Sequence, residues 1–416
     1  MNKAWFEGAG LGLFIHWGHY SQPGWDASWS LVGGVVTLPL VKNVPIADYY
    51  GAAADWRPEH GWPARWAKAA KTMGARYAVM GARHHDGVAL WPSKAPGAFS
   101  VNDLGIERDI VGEFVDACRA EGVIPGLYYS LSDWKHPDYP AFTEDLKPYR
   151  FDRPPAPTKE QWTRYKLYLE AQLTELLTHY GEIACLWFDG GWERPAKVWG
   201  VDGLEALIRR LQPDILINDR LPEKGDYATP EQFIPPSPPA GLWEACLTMN
   251  RSWGFNADDH DYKTATALIH ALCETAGRGG NLLLNIGPEG SGAIPAPQVE
   301  RLEAIGAWIA RHGAAIHDTR PGLEPWQFYG PSTRRGETLY CILTLKPNGP
   351  VAVRGLPMKR VKAVTHLATG QPLRFEKRMA VMEELFSPDP MGELLIDLPD
   401  ALVDPHASVI AIEVAG

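Results

Sequence analysis

The sequence predicts an α/β protein: an irregular (β/α)8-like barrel over residues 1–325, followed by a C-terminal antiparallel β-sandwich over residues 326–416. Three observations predict it. Over roughly the first 320 residues, short apolar runs alternate with longer stretches of helical spacing, the signature of parallel strands joined by helical crossovers. The apolar runs number about eight, the count a closed parallel barrel needs. After about residue 330 the helical spacing stops. Short runs rich in Val, Ile, Leu and Thr are then divided by Gly, Pro, Asn and Asp, as in a small sandwich.

The elements follow in order. Residues 11–17 (LGLFIHW), 76–82, 123–130, 183–189, 215–218, 243–249 and 281–286 read as strands, each a compact apolar run. Residues 62–72, 109–121, 159–179, 264–275 and 297–312 read as helices. In the second, Ile110, Phe114, Val115 and Cys118 recur on one face. Fewer clean helices than strands predicts the irregularity of the barrel. In the C-terminal part, 338–345, 351–353, 361–366, 393–397 and 408–414 read as strands.

Composition narrows the function. Hydrophobic residues make up 45% of 416, enough for a large core and against general disorder. The net charge of −10 argues against nucleic acid or an anionic membrane as partner. No run reaches the roughly 18 apolar residues of a membrane span. The first residues, Met-Asn-Lys-Ala-Trp-Phe-Glu-Gly, lack the apolar stretch of a secretory signal. Five cysteines, an odd number with no two in CxxC spacing, argue against a disulfide framework or a zinc knuckle. Together these predict a cytoplasmic protein, although a chain with its signal removed reads the same. Nothing in the sequence sets the number of copies, and a homo-oligomer is compatible with it.

Barrels of this class carry their chemistry at the C-terminal ends of the strands. Five successive strand candidates end in groups a structural strand does not need: His16-Trp17-Gly18, Arg83-His84-His85-Asp86-Gly87, Tyr128-Tyr129-Ser130, Trp187-Phe188-Asp189-Gly190-Gly191-Trp192 and Asn218-Asp219-Arg220. Asp189 stands out. An Asp before Gly is what an ordinary turn uses, but here it lies between Trp187 and Trp192. A carboxylate among aromatic walls suits a sugar, whose C–H faces stack on rings. Glycosidases need two carboxyls. Glu231, in a loop after the fifth strand candidate, and Glu244, at the start of the next strand, are the alternatives for the second. His16, His84, His85 and Asp189 would alternatively form a metal site, although vicinal histidines on a strand point to opposite faces. The Gly-rich stretch 277–288 lacks the Lys-Ser/Thr of a phosphate loop and reads as a tight turn and buried strand.

These residues resemble the alpha-L-fucosidases of glycoside hydrolase family 29. The matching pieces are GLFIHWG (12–18), RHHDGVALWPSK (83–94), GLYYS (126–130), LWFDG (186–190), INDR (217–220), WGFN (253–256) and GGNLLLNIGP (279–288), in order over about residues 5–320. The resemblance implies the same barrel-and-sandwich fold. It implies a retaining exo-glycosidase that removes terminal alpha-L-fucose from a fucosylated glycan, with no cofactor and no metal. It implies Asp189 as nucleophile and His16, His84, His85, Tyr129, Trp187, Arg220 and Trp29 as substrate-binding residues. Glu231 fits the Thr-Pro-Glu element that carries the acid/base in some members, with Glu244 as the alternative. Ser28 departs from the family pattern, because many members have a Glu-Trp pair where this chain has Ser28-Trp29. Residues 31–50 match no family pattern. The rival readings are a metal-dependent barrel hydrolase and a non-catalytic sugar-binding relative.

Overall fold

The computed structural model describes residues 3–33 and 40–415. The segment 31–50, without a match in the sequence, therefore lies partly outside the described residues. Eight parallel strands form the barrel: β1 (Leu11–Ile15), β2 (Tyr77–Arg83), β3 (Ile124–Ser130), β4 (Cys185–Asp189), β5 (Leu216–Ile217), β6 (Tyr227–Ala228), β7 (Leu242–Thr248) and β8 (Asn281–Ile286). Neighbours pair in chain order, and β8 pairs with β1 with Leu11 opposite Leu282. A bridge between Asn218 and Tyr227 joins β5 to β6 and nearly closes the ring.

Among the described residues, six longer helices cover it: α1 (Trp62–Thr72), α2 (Ile110–Glu121), α3 (Lys159–His179), α4 (Val201–Leu211), α5 (Ala265–Gly277) and α6 (Ala296–His312). Local chemistry sets their starts. Pro63 sits in the first turn of α1. The Asp109 carboxylate accepts from the Gly112 amide. Thr158 and Gln161 form a capping box on α3, and Thr264 Oγ1 accepts from the Ala267 amide. The β5–β6 and β6–β7 connections carry no helix among the described residues, which is the expected irregularity. Helix α4 and strand β6 are additions to the sequence-level reading. β6 has only two residues, too short to show a period.

Alternation sorts each strand into interior and helix-facing residues. Phe14, Tyr77, Val79, Tyr128, Cys185, Trp187, Leu216, Tyr227, Cys246 and Leu283 form one buried cluster inside the barrel, with Phe6 against it. Space for these rings comes from small neighbours: a Cβ on Gly12 would lie within the Tyr77 ring. The β2–β3 register slips between Gly81 and Arg83. This bulge turns Arg83 out to Asp133 and Tyr129 and brings His84 in.

The C-terminal part has one sheet ordered β9-β10-β11-β16-β13, from Arg320–Pro321 (β9), Ser332–Arg335 (β10), Thr338–Leu343 (β11), Val361–His366 (β13) and Ser408–Val414 (β16). A second is ordered β12-β15-β14, from Val351–Pro357 (β12), Phe375–Arg378 (β14) and Met391–Ile396 (β15). All pairings are antiparallel, and Val353, Leu394, Ile396, Ile410 and Ile412 fill the space between. The first sheet begins at Arg320, slightly before the expected boundary at 325/326.

Candidate active site

At the C-terminal ends of the strands a cleft of about 230 Å³ is lined by Phe14, His16, Trp29, His84, Tyr128, Trp187, Asp189, Trp192, Arg220, Glu231 and Trp253. Asp189 ends β4, and Gly190 turns the chain away at φ +71°. Since β5 is so short, the Asn218 side chain extends its pairing: Oδ1 accepts from the Phe188 amide and Nδ2 donates to the Phe188 carbonyl. That holds the strand end under Asp189.

Two donors meet the Asp189 carboxylate. Tyr128 Oη donates to Oδ2 at 2.8 Å, and Arg220 Nη1 donates to Oδ1 at 3.0 Å. The same guanidinium donates through Nη2 to Glu231 Oε2 at 2.6 Å and lies 4.5 Å over the Trp187 ring. Burial opposes the charge on Arg220, but the two carboxylates outweigh it and hold its pKa above the ordinary range. Glu231 therefore meets a cation rather than the apolar setting expected of an acid. Nor is it on a free loop. The Cys246 amide donates to the Pro230 carbonyl and the Gln232 amide to the Cys246 carbonyl, so residues 230–232 run as a strand beside β7.

His16 and His84 line the cleft and His85 stands beside Asp189, and burial pulls all three down: His16 to about 4, His85 to about 3, and His84 well below its ordinary value. They are neutral, and their hydrogen bonds set the tautomers. Asn285 gives its amide nitrogen to the Trp253 carbonyl, so its oxygen faces His16 Nδ1 at 2.7 Å. His16 Nε2 is then an acceptor. Ser130 gives its proton to the Ser132 carbonyl and accepts from His85 Nδ1 at 2.6 Å. His85 Nε2 stands 3.6 Å from Asp189 Oδ2. Among the described residues, neither it nor the buried Trp29 Nε1 has a hydrogen-bond partner. Such orphaned polar atoms in a cleft suit a ligand rich in hydroxyls.

Two expectations are corrected. Tyr129 faces the helices, not the cleft: its hydroxyl donates to Gln172 and Arg83 packs over its ring. Its neighbour Tyr128 takes the interior position, because adjacent strand residues point to opposite faces. Glu244 lies at the N-terminal end of β7, deep in the barrel, where it accepts from Tyr77 Oη at 2.5 Å and Trp187 Nε1 at 2.8 Å. It does not line the cleft. Phe14, Trp192 and Trp253 join the cleft without having been singled out as binding residues. Phe14 was legible as the same-face neighbour of His16. Ser28 is buried and bonds His84 Nδ1, so it orients that imidazole rather than facing the cleft.

The chain matches the alpha-L-fucosidase family over residues 1–314. It belongs to the alpha-L-fucosidase family. Human tissue alpha-L-fucosidase is 30% identical, with 95% of this chain and 85% of the relative covered. Alpha-L-fucosidase isoenzyme 1 from Paenibacillus thiaminolyticus superposes with a TM-score of 0.81 at 33% identity, covering 99% of this chain and 98% of that one. A fucosidase from Bacteroides thetaiotaomicron, trapped as a covalent intermediate with 2-fluoro-fucosyl fluoride in a Glu-to-Gln variant, superposes at 0.82 with 27% identity, over 99% and 95%. The barrel and C-terminal sheets are thus those of family fucosidases. No helix among the described residues is long and apolar enough to cross a membrane.

Proposed function

We propose that this chain hydrolyses terminal alpha-L-fucosides with retention of configuration, using Asp189 as nucleophile and Glu231 as acid/base. The observation that carries the reading is the Arg220 guanidinium, which ties both carboxylates to one wall of an aromatic cleft. Glu231 protonates the leaving oxygen while Asp189 attacks the anomeric carbon. Forming the glycosyl ester removes the charge on Asp189, so Arg220 is left with Glu231 as its charged partner. Glu231 then takes the proton of the water that releases the sugar. The neutral imidazoles of His16, His84 and His85 and the indole of Trp29 offer partners to sugar hydroxyls. Phe14, Trp187 and Trp253 supply apolar wall for the C6 methyl. The leaving partner is a fucosylated glycan or glycoconjugate. Five buried free thiols support a reducing, cytoplasmic setting.

Asp189→Ala should lower turnover of an aryl fucoside by roughly 10⁴-fold, with azide restoring activity as a beta-fucosyl azide. The first sugar seen by proton NMR should be alpha; a beta first product sinks the double displacement. A second reading has one observation in its favour: ligand atoms of His84, His85 and Asp189 lie within 4.8 Å of one another, a spacing that suits an ion. Arg220 on Asp189 works against it, since a guanidinium repels a cation from the same carboxylate. Loss of activity after chelation and dialysis, restored by one metal, would favour that reading.

A further inference from the structure

The chemistry at Asp189 leaves Trp192 unused. It is the one lining residue of the cleft that is exposed, at 46%, while Phe14, Tyr128, Trp187 and Trp253 are 7% or less. The ring is not carried on a loose loop. The next residue, Glu193, is buried and accepts from Trp134 Nε1 at 3.0 Å, Tyr139 Oη at 2.5 Å and Tyr149 Oη at 2.6 Å. Trp199 Nε1 donates to the Gly191 carbonyl at 2.8 Å, and Gly190 makes the turn. Burying a carboxylate is costly, as the raised pKa of Glu193 reflects, and three aromatic donors offset the cost. The result fastens the segment before Tyr149 to the turn after β4. Trp192 is the side chain that this fastening leaves facing outward. Phe151 and His85 brace its ring at centroid distances of 6.4 and 5.7 Å.

The cleft volume, about 230 Å³, lies below the roughly 300–1,000 Å³ of sites for drug-sized ligands and takes one sugar ring. The ring it is attached to must then lie at the mouth. We propose that Trp192 is the platform on which the pyranose released by hydrolysis stacks its apolar face, a leaving-group subsite pre-set by the buried Glu193 anchor. This rests on the fucosidase reading of the cleft. A flat, rigid indole suits the C–H face of a pyranose and loses little side-chain freedom on contact. A platform at the exposed mouth of the fucose cavity acts on substrates according to what they carry there, and is silent for a substrate with nothing in that position.

That contrast gives the test. Wild type, Trp192→Ala and Trp192→Phe are compared on alpha-L-fucosyl fluoride, which carries no second ring, and on fucosyllactoses bearing fucose at O2 of galactose or O3 of glucose. In Trp192→Ala, kcat/KM for the better fucosyllactose should fall roughly tenfold, mainly through KM, the scale of one lost aromatic contact. The fluoride should stay within about twofold, which also reports an intact fold. Trp192→Phe should recover most of the loss. An equal fall on both substrates, no fall on either, or a wild type that hydrolyses the fluoride but neither fucosyllactose would overturn the subsite. A wild type inert on the fluoride as well would instead strike the fucosidase reading itself.

Discussion

One hydroxyl separates the two tyrosines at the end of β3, and it separates their roles. Tyr128 Oη donates to Asp189, whereas Tyr129 Oη donates to Gln172 behind the barrel. Tyr128→Phe should cut kcat with a fucoside by about 10- to 100-fold, since it removes one of two donors to the proposed nucleophile. Tyr129→Phe should leave kcat unchanged and cost about 0.5–1.5 kcal/mol of stability in urea titration. Equal kinetics for the two variants would undo the assignment. Most cleft residues could be read from the sequence because they close strands in motifs: His16, His84, Trp187, Asp189 and Arg220 all line the cleft, and His85 stands beside Asp189. The tyrosine pair could not be resolved that way. Which of two adjacent residues faces in depends on register, and the bulge at Gly81–Arg83 lies in the pairing next to them.

The two glutamates differ by the element that holds them. Glu231 sits on the strand-like segment 230–232 at the C-terminal end of β7, and Glu244 sits at the opposite end of the same strand. A two-residue β6 followed by Thr229-Pro230 reads in sequence as a loop, so the clamping of Glu231 by backbone bonds to Cys246 was hidden. Glu231→Gln should reduce hydrolysis of fucosyl oligosaccharides by roughly 10²- to 10⁴-fold and spare aryl fucosides with good leaving groups, which need no proton. Glu244→Gln should change both substrates alike and only slightly. Its signature is in stability instead. Burial raises the Glu244 pKa from 4.5 to about 7, despite the donors Tyr77 and Trp187. The folded chain therefore holds a proton that the unfolded chain releases. Its contribution is complete below about 4.5 and is lost as pH rises to about 7. The difference in urea midpoint between wild type and Glu244→Gln should shift in favour of the variant across that window. A pH-independent difference would show that Glu244 does not titrate there.

At the scale of the molecule, the barrel and the sandwich share a core. Tyr340, Ile342, Val409 and Ala411 of the first sheet pack in the same buried cluster as Leu268, Leu302 and Trp308 of α5 and α6. Trp308 Nε1 also donates to the Ala407 carbonyl at 2.9 Å. The two parts should unfold in one calorimetric transition, and two resolved transitions would contradict the shared core. The sequence showed the change of pattern near residue 330 but not this sharing, because outward-facing strand residues look the same whether they meet a helix or solvent.

The pH dependence of that single transition follows from groups buried against their preference. His16 and His312 are lowered to about 4, His19 and His85 to about 3, and His84 well below its usual value, all by desolvation first. The unfolded chain gains protons on them as pH falls below 6.5, so they make stability fall toward acid. Burial works the other way on carboxyls: Asp26 rises to about 7, Asp86 to about 6, Glu244 to about 7, and Glu193 upward. The unfolded chain releases protons there above about 4 to 4.5, so stability falls toward neutral pH. Burial also lowers His136, His317 and His366, so between about 4.5 and 6 eight histidines outnumber the four carboxyls and the unfolded chain holds more protons. Urea midpoints should rise with pH across that range, but less than the histidines alone would make them. Below about 4 the carboxyls are protonated in both states and no longer compensate, while the histidines still demand charge. Asp138 and Asp318, held low by hydrogen bonds from Arg164 and Arg76, add to the loss there. The midpoint should therefore drop steeply from pH 4.5 to 3.5. A midpoint that falls from pH 4.5 to 6 would mean that the buried histidines do not stay neutral in the folded chain.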